Sequence, residues 1–188
     1  MKKEWNEIYK NGKELNIYPS EVLVSWAYRN KIVKSQKALD IGCGFANNLR
    51  FLIEYGLDAY GIDNSDYIID AIRDEFNQRV SVQSIKSTTF NSDSFDILVD
   101  RQSIQHNFVS DLSKIYSECR RIIKMNGLMF SVFQLTEGNG ATKAVIDEHL
   151  LDQKISEYFT IKEKNYHMQT TNNGNNKHES IVYTLLKE

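Results

Sequence analysis

The sequence predicts an α/β fold: a doubly wound, mostly parallel sheet of seven strands, with helices on both faces and a C-terminal antiparallel hairpin, in three α/β/α layers. Apolar strand-like runs alternate five times with helical segments before two final strands, the order typical of parallel sheets with crossover helices. The fourth run, Phe95–Asp100, contains the unbroken apolar stretch Ile97–Val99, as expected of a strand covered on both faces. At 188 residues, 41% of them hydrophobic, the whole chain is expected to form a single domain.

Local signals place the individual elements in order along the chain. Residues 1–36 are predicted to form a helical cap segment, and residues 37–188 the core. Strands are expected over residues 37–41, 58–62, 79–85, 95–100, 128–133, 159–166 and 180–186. Helices are expected over residues 2–10, 19–34, 47–55, 65–78, 110–124 and 141–157.

Capping and turn residues support these boundaries. Pro19 is acceptable only in the first turn of its helix. Gly56 is placed to end one helix, Asn64 or Ser65 to cap the next, and Ser110 to cap the helix that Gly127 ends. A polar stretch at residues 170–176 is predicted to join the two strands of the final hairpin.

A glycine-rich turn between the first strand and its helix predicts a ligand site. Gly42 and Gly44 permit positive φ and a close approach of the backbone to a ligand, and the following helix presents unpaired N–H groups. Nineteen residues after Gly44, Asp63 ends the second strand. A carboxylate at this position is placed to accept both hydrogen bonds of a ribose diol. The two features together predict a nucleoside cofactor.

Composition narrows the class of partner. The formal net charge is −2 and no run of five basic residues occurs, which disfavours nucleic acid. No stretch reaches about 18 apolar residues, so a cytoplasmic protein that does not enter membranes is expected. Cys43 and Cys119 lie far apart, without other ligands at metal spacing. We therefore interpret them as reduced thiols and predict no metal site.

Four blocks of sequence resemble the class I S-adenosylmethionine-dependent methyltransferases, a family of Rossmann-like fold, from about Ala38 to the C-terminus. The blocks are Leu39–Ala46, Gly61–Ser65, Phe90–Val99 and Arg121–Leu128. Two positions depart from the family pattern. Ala46 stands where a third glycine is usual, and Ser84, followed by Ile85 and Lys86, stands where relatives carry an acidic residue beside the adenine.

The resemblance implies S-adenosyl-L-methionine as methyl donor and S-adenosyl-L-homocysteine as product. Gly42, Gly44 and the following helix would hold the methionine end, Asp63 the ribose, and Ser84 with Ile85 the adenine edge. The full predicted cofactor set is Tyr9, Asp40, Gly42, Cys43, Gly44, Asn47, Asn48, Asp63, Asn64, Ser84, Ile85 and Asp100. A dinucleotide is the disfavoured alternative, because Asn47 stands where its fingerprint requires glycine. Cys43 is interpreted as a small space-filling residue that points into the core.

The polar stretch after the fourth strand supplies the catalytic candidates. His106 is the candidate base for an acceptor hydroxyl; the alternative is a structural hydrogen bond. Arg101 would neutralise an acidic acceptor, or else form an ion pair with Asp100. Aromatic residues of the N-terminal segment, Trp5, Tyr9 and Tyr18, would shield the cofactor or simply pack on the core. Tyr166 and His167 reach the acceptor from the far side in one interpretation and lie on the surface in the other.

Missing motifs narrow the acceptor. The chain has a single proline, Pro19, so the proline-containing blocks of base-amino and cytosine methyltransferases are absent, as are the paired glutamates of arginine methylation. A small molecule or sugar precursor remains, methylated on oxygen, with nitrogen as second choice. The alternatives are a catalytically inactive methyltransferase-like module, or an enzyme acting on protein or RNA. A monomer or homodimer is expected.

Overall fold

A computed structural model describes residues 2–12, 17–134, 147–171 and 176–188. Its α-helices are α1 (Lys2–Lys10), α2 (Glu21–Arg29), α3 (Asn47–Tyr55), α4 (Asp66–Phe76), α5 (Leu112–Ile122) and α6 (Glu148–Ser156). Its strands are β1 (Lys37–Ile41), β2 (Asp58–Asp63), β3 (Val80–Val82), β4 (Phe95–Arg101), β5 (Ile123–Gln134), β6 (Thr160–Thr171) and β7 (Asn176–Leu186).

The seven strands form one sheet in the order β3-β2-β1-β4-β5-β7-β6. Strands β1 to β5 pair in parallel, and β7 lies antiparallel between β5 and β6. The order reverses at β1, whose neighbours are β2 and β4. Ligands of open α/β sheets bind at the carboxyl ends of strands at such a switch point.

Two apolar clusters cover the two faces of the sheet, which confirms the three-layer prediction. One contains the buried residues of α2, α3 and α4, with Trp26 fully buried and donating from Nε1 to Thr184 Oγ1 at 2.8 Å. The other contains those of α5 and α6, around Tyr116 and Phe133. Because both faces are covered, the strands between them are apolar on both sides, as Phe95–Asp100 indicated.

The boundary between α5 and β5 was predicted wrongly. The helix ends at Ile122 and the strand begins at Ile123, so Gly127 lies inside β5 and does not end the helix. Both isoleucines are fully buried, and an apolar pair of this kind fits a buried helix and a buried strand equally well. The expected Ser110 cap is also wrong: Asp111 occupies the N-cap position, without a side-chain cap bond.

Two further elements are shorter than predicted. Helix α2 begins at Glu21, after Ser20 in extended conformation, so Pro19 precedes the helix instead of occupying its first turn. Strand β3 is limited to three residues that pair with Gly61–Asp63. Pairing stops there because β2 itself ends at Asp63.

The C-terminal hairpin is longer than predicted. Its strands extend to Thr171 and from Asn176, and the connecting residues 172–175 lie outside the described residues. The first six residues of the predicted 141–157 helix also lie outside them, and α6 begins at Glu148 after the Asp147 cap. Within the described part of the chain, no helix has the length and apolar character needed to cross a bilayer, and no cluster of three metal-ligating side chains occurs.

Candidate functional site

The loop between β1 and α3, residues 42–46 and here termed the glycine loop, is fixed mainly by backbone hydrogen bonds. Gly42 N and Cys43 N both donate to Ile62 O, at 2.8 and 3.0 Å. Gly42 has φ +68°, and a Cβ on it would lie 2.3 Å from Ser103 Cβ. Only glycine therefore combines this backbone conformation with this close approach. Gly44 also has positive φ, at +51°.

Asp63 connects the glycine loop to the end of β2. Its Oδ2 accepts from Gly44 N at 3.1 Å and from Tyr9 Oη at 3.3 Å, and its Oδ1 accepts from Ser65 N at 2.9 Å. Burial raises the pKa of Asp63, and the hydrogen bonds from Ser65, Gly44 and Tyr9 oppose that rise. Oδ1 has a single partner among these bonds, which leaves it capacity to accept from a ligand hydroxyl.

A cavity of about 500 Å³ opens beside the glycine loop at the carboxyl ends of β1, β2 and β4. Its volume lies within the range of ligand pockets for small molecules, roughly 300 to 1,000 Å³. Its lining combines exposed backbone with polar side chains from six parts of the fold. The lining residues are Trp5, Tyr9, Ile41, Gly42, Cys43, Gly44, Phe45, Asn47, Asn48, Ile62, Asp63, Asn64, Gln83, Ile85, Arg101, Gln102, Ser103, Gln105, His106, Asn107 and Gln134.

The opposite wall is formed by residues 102–107, here termed the β4 loop. Asp100 is fully buried, and its Oδ1 accepts from Ser103 N, Ser103 Oγ and Ile104 N at 2.9 to 3.0 Å. Its Oδ2 accepts from Ser131 Oγ at 2.7 Å. One buried carboxylate thus shapes the loop that presents His106 to the cavity.

Helix α1 covers the cavity with aromatic side chains. Trp5 packs edge-on against His106, with ring centroids 4.8 Å apart, and Tyr9 packs edge-on against Phe45 of the glycine loop at 5.5 Å. Asn6 fastens the helix to α4, because its side chain bonds Ser65 Oγ at 2.5 Å and Asp66 Oδ1 at 2.7 Å. The N-terminal segment therefore contacts both walls of the cavity.

A second buried carboxylate, Asp40, lies behind the glycine loop. Burial, followed by the nearby charges of Asp100 and Asp63, raises its pKa to about 8. Its Oδ2 has no hydrogen-bond partner among the described residues. Asp40 and Asp100 are both outside the cavity lining, so the site has a carboxylate on its surface, Asp63, and two more beneath it.

Comparison with known proteins agrees with this geometry. A family model described as a methyltransferase domain matches residues 39–131, the segment from β1 through the first part of β5 that carries the glycine loop, Asp63 and the β4 loop. The chain belongs to the class I S-adenosylmethionine-dependent methyltransferases. This confirms the resemblance of the four sequence blocks.

Curated relatives align over about half of this chain. A ubiquinone biosynthesis O-methyltransferase of Coxiella burnetii is 27% identical over 103 residues, 52% of this chain and 43% of that protein. A phosphoethanolamine N-methyltransferase of Plasmodium falciparum is 27% identical over 105 residues, 51% of this chain and 38% of that protein. The aligned part is thus less than half of either relative.

Solved structures share the fold over nearly the whole chain. A structure from work on the conversion of a disulfide bond into a thioacetal group during echinomycin biosynthesis has a TM-score of 0.80 at 14% identity, covering 100% of this chain and 93% of the other. Magnesium protoporphyrin IX methyltransferase of Synechocystis PCC 6803, with bound SAH, has a TM-score of 0.69 at 13% identity, covering 89% and 81%. At these identities the likeness concerns the fold.

Most residues predicted for the site do line the cavity. These are Tyr9, Gly42, Cys43, Gly44, Asn47, Asn48, Asp63, Asn64, Ile85, Arg101 and His106. Asn47 and Asn48 also hold the N-terminal segment, since Asn47 Nδ2 donates to Tyr18 O at 2.8 Å and Asn48 Oδ1 accepts from Ser20 N at 2.9 Å. Cys43 is buried against Gly61, as predicted of a space-filling residue, and burial raises its thiol pKa.

Three predicted cofactor residues lie elsewhere. Asp40 and Asp100 are buried behind the two walls, and Ser84 accepts from Lys86 N at 3.3 Å in its own turn, while the preceding Gln83 reaches the cavity. Ser84 was assigned because it stands where relatives carry an acidic residue beside the adenine. Asp40 and Asp100 are each the residue before the last of their strands, β1 and β4. Successive side chains of a strand point to opposite faces of the sheet, so a position near a strand end does not by itself bring a side chain into the cavity.

Several lining residues were missed by the sequence interpretation. Gln105 and Gln134 are one example, because Gln105 Oε1 accepts from Gln134 N at 2.8 Å. Gln105 lies in the β4 loop that follows β4, and Gln134 ends the neighbouring parallel strand β5. The rule that the carboxyl ends of parallel strands meet at one edge would therefore have found them.

Proposed function

We propose that this protein binds S-adenosyl-L-methionine in the 500 Å³ cavity and transfers its methyl group to an oxygen of a small-molecule or saccharide acceptor, with nitrogen as the second choice of acceptor atom. The observation that carries the proposal is the bonding of the glycine loop to the end of β2, in which Gly42 N donates to Ile62 O and Gly44 N to Asp63 Oδ2. This unit lines the cavity opposite His106. Family membership supports S-adenosyl-L-methionine as the methyl donor. The position of His106 in the β4 loop supports the assignment of the acceptor to that wall of the cavity.

The residues present fit the methyl donor. Asp63 Oδ1 has capacity for a ribose hydroxyl, and Gly42 and Gly44 line the cavity without a side chain. Ile85 and Gln83 line the side where β3 ends, and we assign the adenine there in place of Ser84. The amides at the start of α3 are assigned to the methionine carboxylate, because a helix N-terminus favours an anion.

The chain contributes position and a proton acceptor to the reaction. When bound, the sulfonium supplies an electrophilic methyl carbon, so the new bond forms from the acceptor oxygen while the carbon–sulfur bond breaks with its electron pair left on sulfur. A hydroxyl acceptor must also lose its proton, and His106 is the residue we assign to take it. Trp5, packed on the His106 ring, fixes its orientation and keeps water from that side.

The carrying observation is tested by titrating the protein with S-adenosyl-L-homocysteine in a calorimeter. Wild type is expected to bind, and Asp63→Asn to bind roughly 10-fold to 100-fold more weakly, since hydrogen bonds to a charged group contribute about 1.5 to 3 kcal/mol. Asp70→Asn removes an exposed carboxylate of α4 and is the matched control. Absence of binding to wild type at millimolar ligand would refute the proposal.

The role of His106 is tested by transfer from labelled donor to a panel of hydroxylated small molecules. His106→Ala is expected to slow methyl transfer about 100-fold, while the affinity for S-adenosyl-L-homocysteine changes little. His106→Gln, which keeps more of the contact with Trp5, should be equally slow, and His149→Ala on the exposed face of α6 should match wild type. Undiminished transfer by both His106 variants would remove the residue from the chemistry, and binding without any transfer would favour a non-catalytic module.

A further inference from the structure

A second, smaller cavity of about 210 Å³ lies beside the first. It is bounded by the start of α2, from Ser20 to Val22, by Val132 of β5, and by His167 and Ser180 of the C-terminal hairpin. Arg101 and Gln102 line both cavities. These two residues therefore form the partition between the assigned donor cavity and a space that no assignment above uses.

The partition is a built structure. Gln102 adopts φ +64°, a left-handed conformation that is uncommon for a residue other than glycine, and its N–H donates to Val132 O at 3.2 Å. Its side-chain Oε1 accepts from Arg101 Nη1 at 2.9 Å, and its Nε2 donates to Ser180 Oγ at 3.5 Å. Ser180 is only 5% exposed. The amide of Gln102 thus anchors the Arg101 guanidinium to the C-terminal hairpin.

We propose that the second cavity is the subsite for an oxyanion group, carboxylate or phosphate, of the methyl acceptor, and that Arg101, positioned by Gln102, binds this group. This rests on the proposed function, because it takes the first cavity to be the donor site. The acceptor would extend from the region of His106 across the partition, with its nucleophilic end in the larger cavity and its anionic end in the smaller one.

Charge and shape favour an oxyanion there. Arg101 carries a positive charge and lines both cavities. The geometry of its guanidinium matches the oxygens of a carboxylate or a phosphate. Glu21 also lines the smaller cavity, but its side chain is 78% exposed and lies 3.4 Å from His167 Nε2, so its charge is largely in solvent at the outer rim. The N-terminal end of α2 adds a weak positive potential on the same side.

The test is a titration of isotope-labelled protein with inorganic phosphate, and separately with acetate, at constant ionic strength, followed by backbone amide resonances. Both titrations are run with and without saturating S-adenosyl-L-homocysteine. Saturable shifts are expected at Val22, Gln102 and Ser180, which line the smaller cavity. Comparing the two anions distinguishes a phosphate-bearing acceptor from a carboxylate-bearing one.

Variants separate the subsite from general charge effects. Arg101→Gln is expected to lower the affinity for the anion about tenfold or more. Gln102→Leu, which retains Arg101 but removes the amide that positions it, is expected to lower this affinity severalfold. Arg73→Gln, which removes the same charge from an exposed pair on α4, should bind like wild type. Gln102→Leu also serves where Arg101→Gln fails to fold.

The outcomes discriminate. The subsite is refuted if the anions cause no resonance shifts at the smaller cavity of wild type, or if Arg101→Gln shows the same shifts as wild type. In either case, binding of S-adenosyl-L-homocysteine by wild type would leave the proposed function intact. A tenfold loss of affinity for S-adenosyl-L-homocysteine in Arg101→Gln would place the arginine on the carboxylate of the donor. That result would also refute the oxyanion subsite. Anion binding without any affinity for the homocysteine product would keep the oxyanion site and refute the donor assignment.

Discussion

The two walls of the main cavity are built by different means. The glycine loop is held by backbone N–H groups on Ile62 O and Asp63, and it offers backbone to the cavity. The β4 loop is shaped by a buried side chain, Asp100, and it offers the side chains of Gln102, Gln105 and His106. A wall that binds through backbone tolerates few changes, whereas a wall that binds through side chains can change its ligand by substitution. This difference fits the proposed function, in which the glycine loop binds the methyl donor and the β4 loop faces the acceptor.

The largest expected effect comes from breaking the backbone wall. Gly42→Ala places a Cβ 2.3 Å from Ser103 Cβ at φ +68°, which combines backbone strain with overpacking. We expect a loss of roughly 3 kcal/mol or more in the free energy of unfolding and loss of measurable homocysteine-product binding. Urea denaturation and calorimetry measure the two quantities.

Gly12→Ala is the matched control for this prediction. Gly12 has the same φ of +68°, but no atom lies within 4 Å of the position that a Cβ would occupy there, so it should show only the conformational cost of about 1 kcal/mol. Equal effects of the two substitutions would mean that the close approach to Ser103 contributes nothing.

The next largest effect concerns Asp40, whose carboxyl group is buried behind the glycine loop. Burial raises the pKa of Asp40 from 3.8 to about 8, so between these values the folded protein holds a proton that the unfolded chain releases. Stability should therefore fall with rising pH across this window, by about 1.4 kcal/mol per pH unit for this group. Asp40→Asn, which does not titrate, should lose that part of the slope in urea denaturation between about pH 5 and about pH 8.

Glu118→Gln provides the contrast. The hydrogen bond from Arg121 lowers the pKa of Glu118 to about 2, so its contribution is complete above its ordinary value of 4.5 and is lost only as the pH falls toward 2. This variant should keep the wild-type slope between about pH 5 and about pH 8. An unchanged slope in Asp40→Asn would show that the buried carboxyl is not protonated at neutral pH.

The smallest effect is expected where α1 touches the backbone wall. Tyr9→Phe removes the hydrogen bond from Tyr9 Oη to Asp63, which at 3.3 Å is longer than those from Gly44 and Ser65, and keeps the ring on Phe45. We expect the affinity for S-adenosyl-L-homocysteine to change by about fivefold or less, since a net hydrogen bond contributes about 1 kcal/mol. Trp5→Ala, which opens the wall beside His106, should slow transfer more than it weakens product binding. The reverse order would contradict the division between the two walls.

The same division decided how much the sequence predicted. Gly42, Gly44 and Asp63 were recognised because positive φ and strand-end position are local requirements. The contact between Gln105 and Gln134 was missed because it depends on the pairing of β4 with β5. Asp100 was assigned to the cofactor, but its carboxylate accepts hydrogen bonds from N–H groups of its own loop. Sequence spacing does not reveal whether a carboxylate binds neighbouring N–H groups or a ligand.

The elements of the fold were predicted better than their ends. Helix α1 and strand β1 have the expected bounds, whereas the end of α5 depended on whether Ile122 and Ile123 are packed by a helix or a strand. Strand β3 was cut short by the length of its neighbour β2, which is again a property of pairing and not of the β3 sequence.

The position of β7 has a consequence for how the protein acquires its fold. It is the latest of the seven strands in the chain, yet it lies inside the sheet between β5 and β6, with Val182 and Tyr183 buried. During synthesis, β5 has an open edge until β7 has left the ribosome, and an unpaired apolar edge is prone to wrong association. Folding of the sheet is therefore completed only after translation of β7.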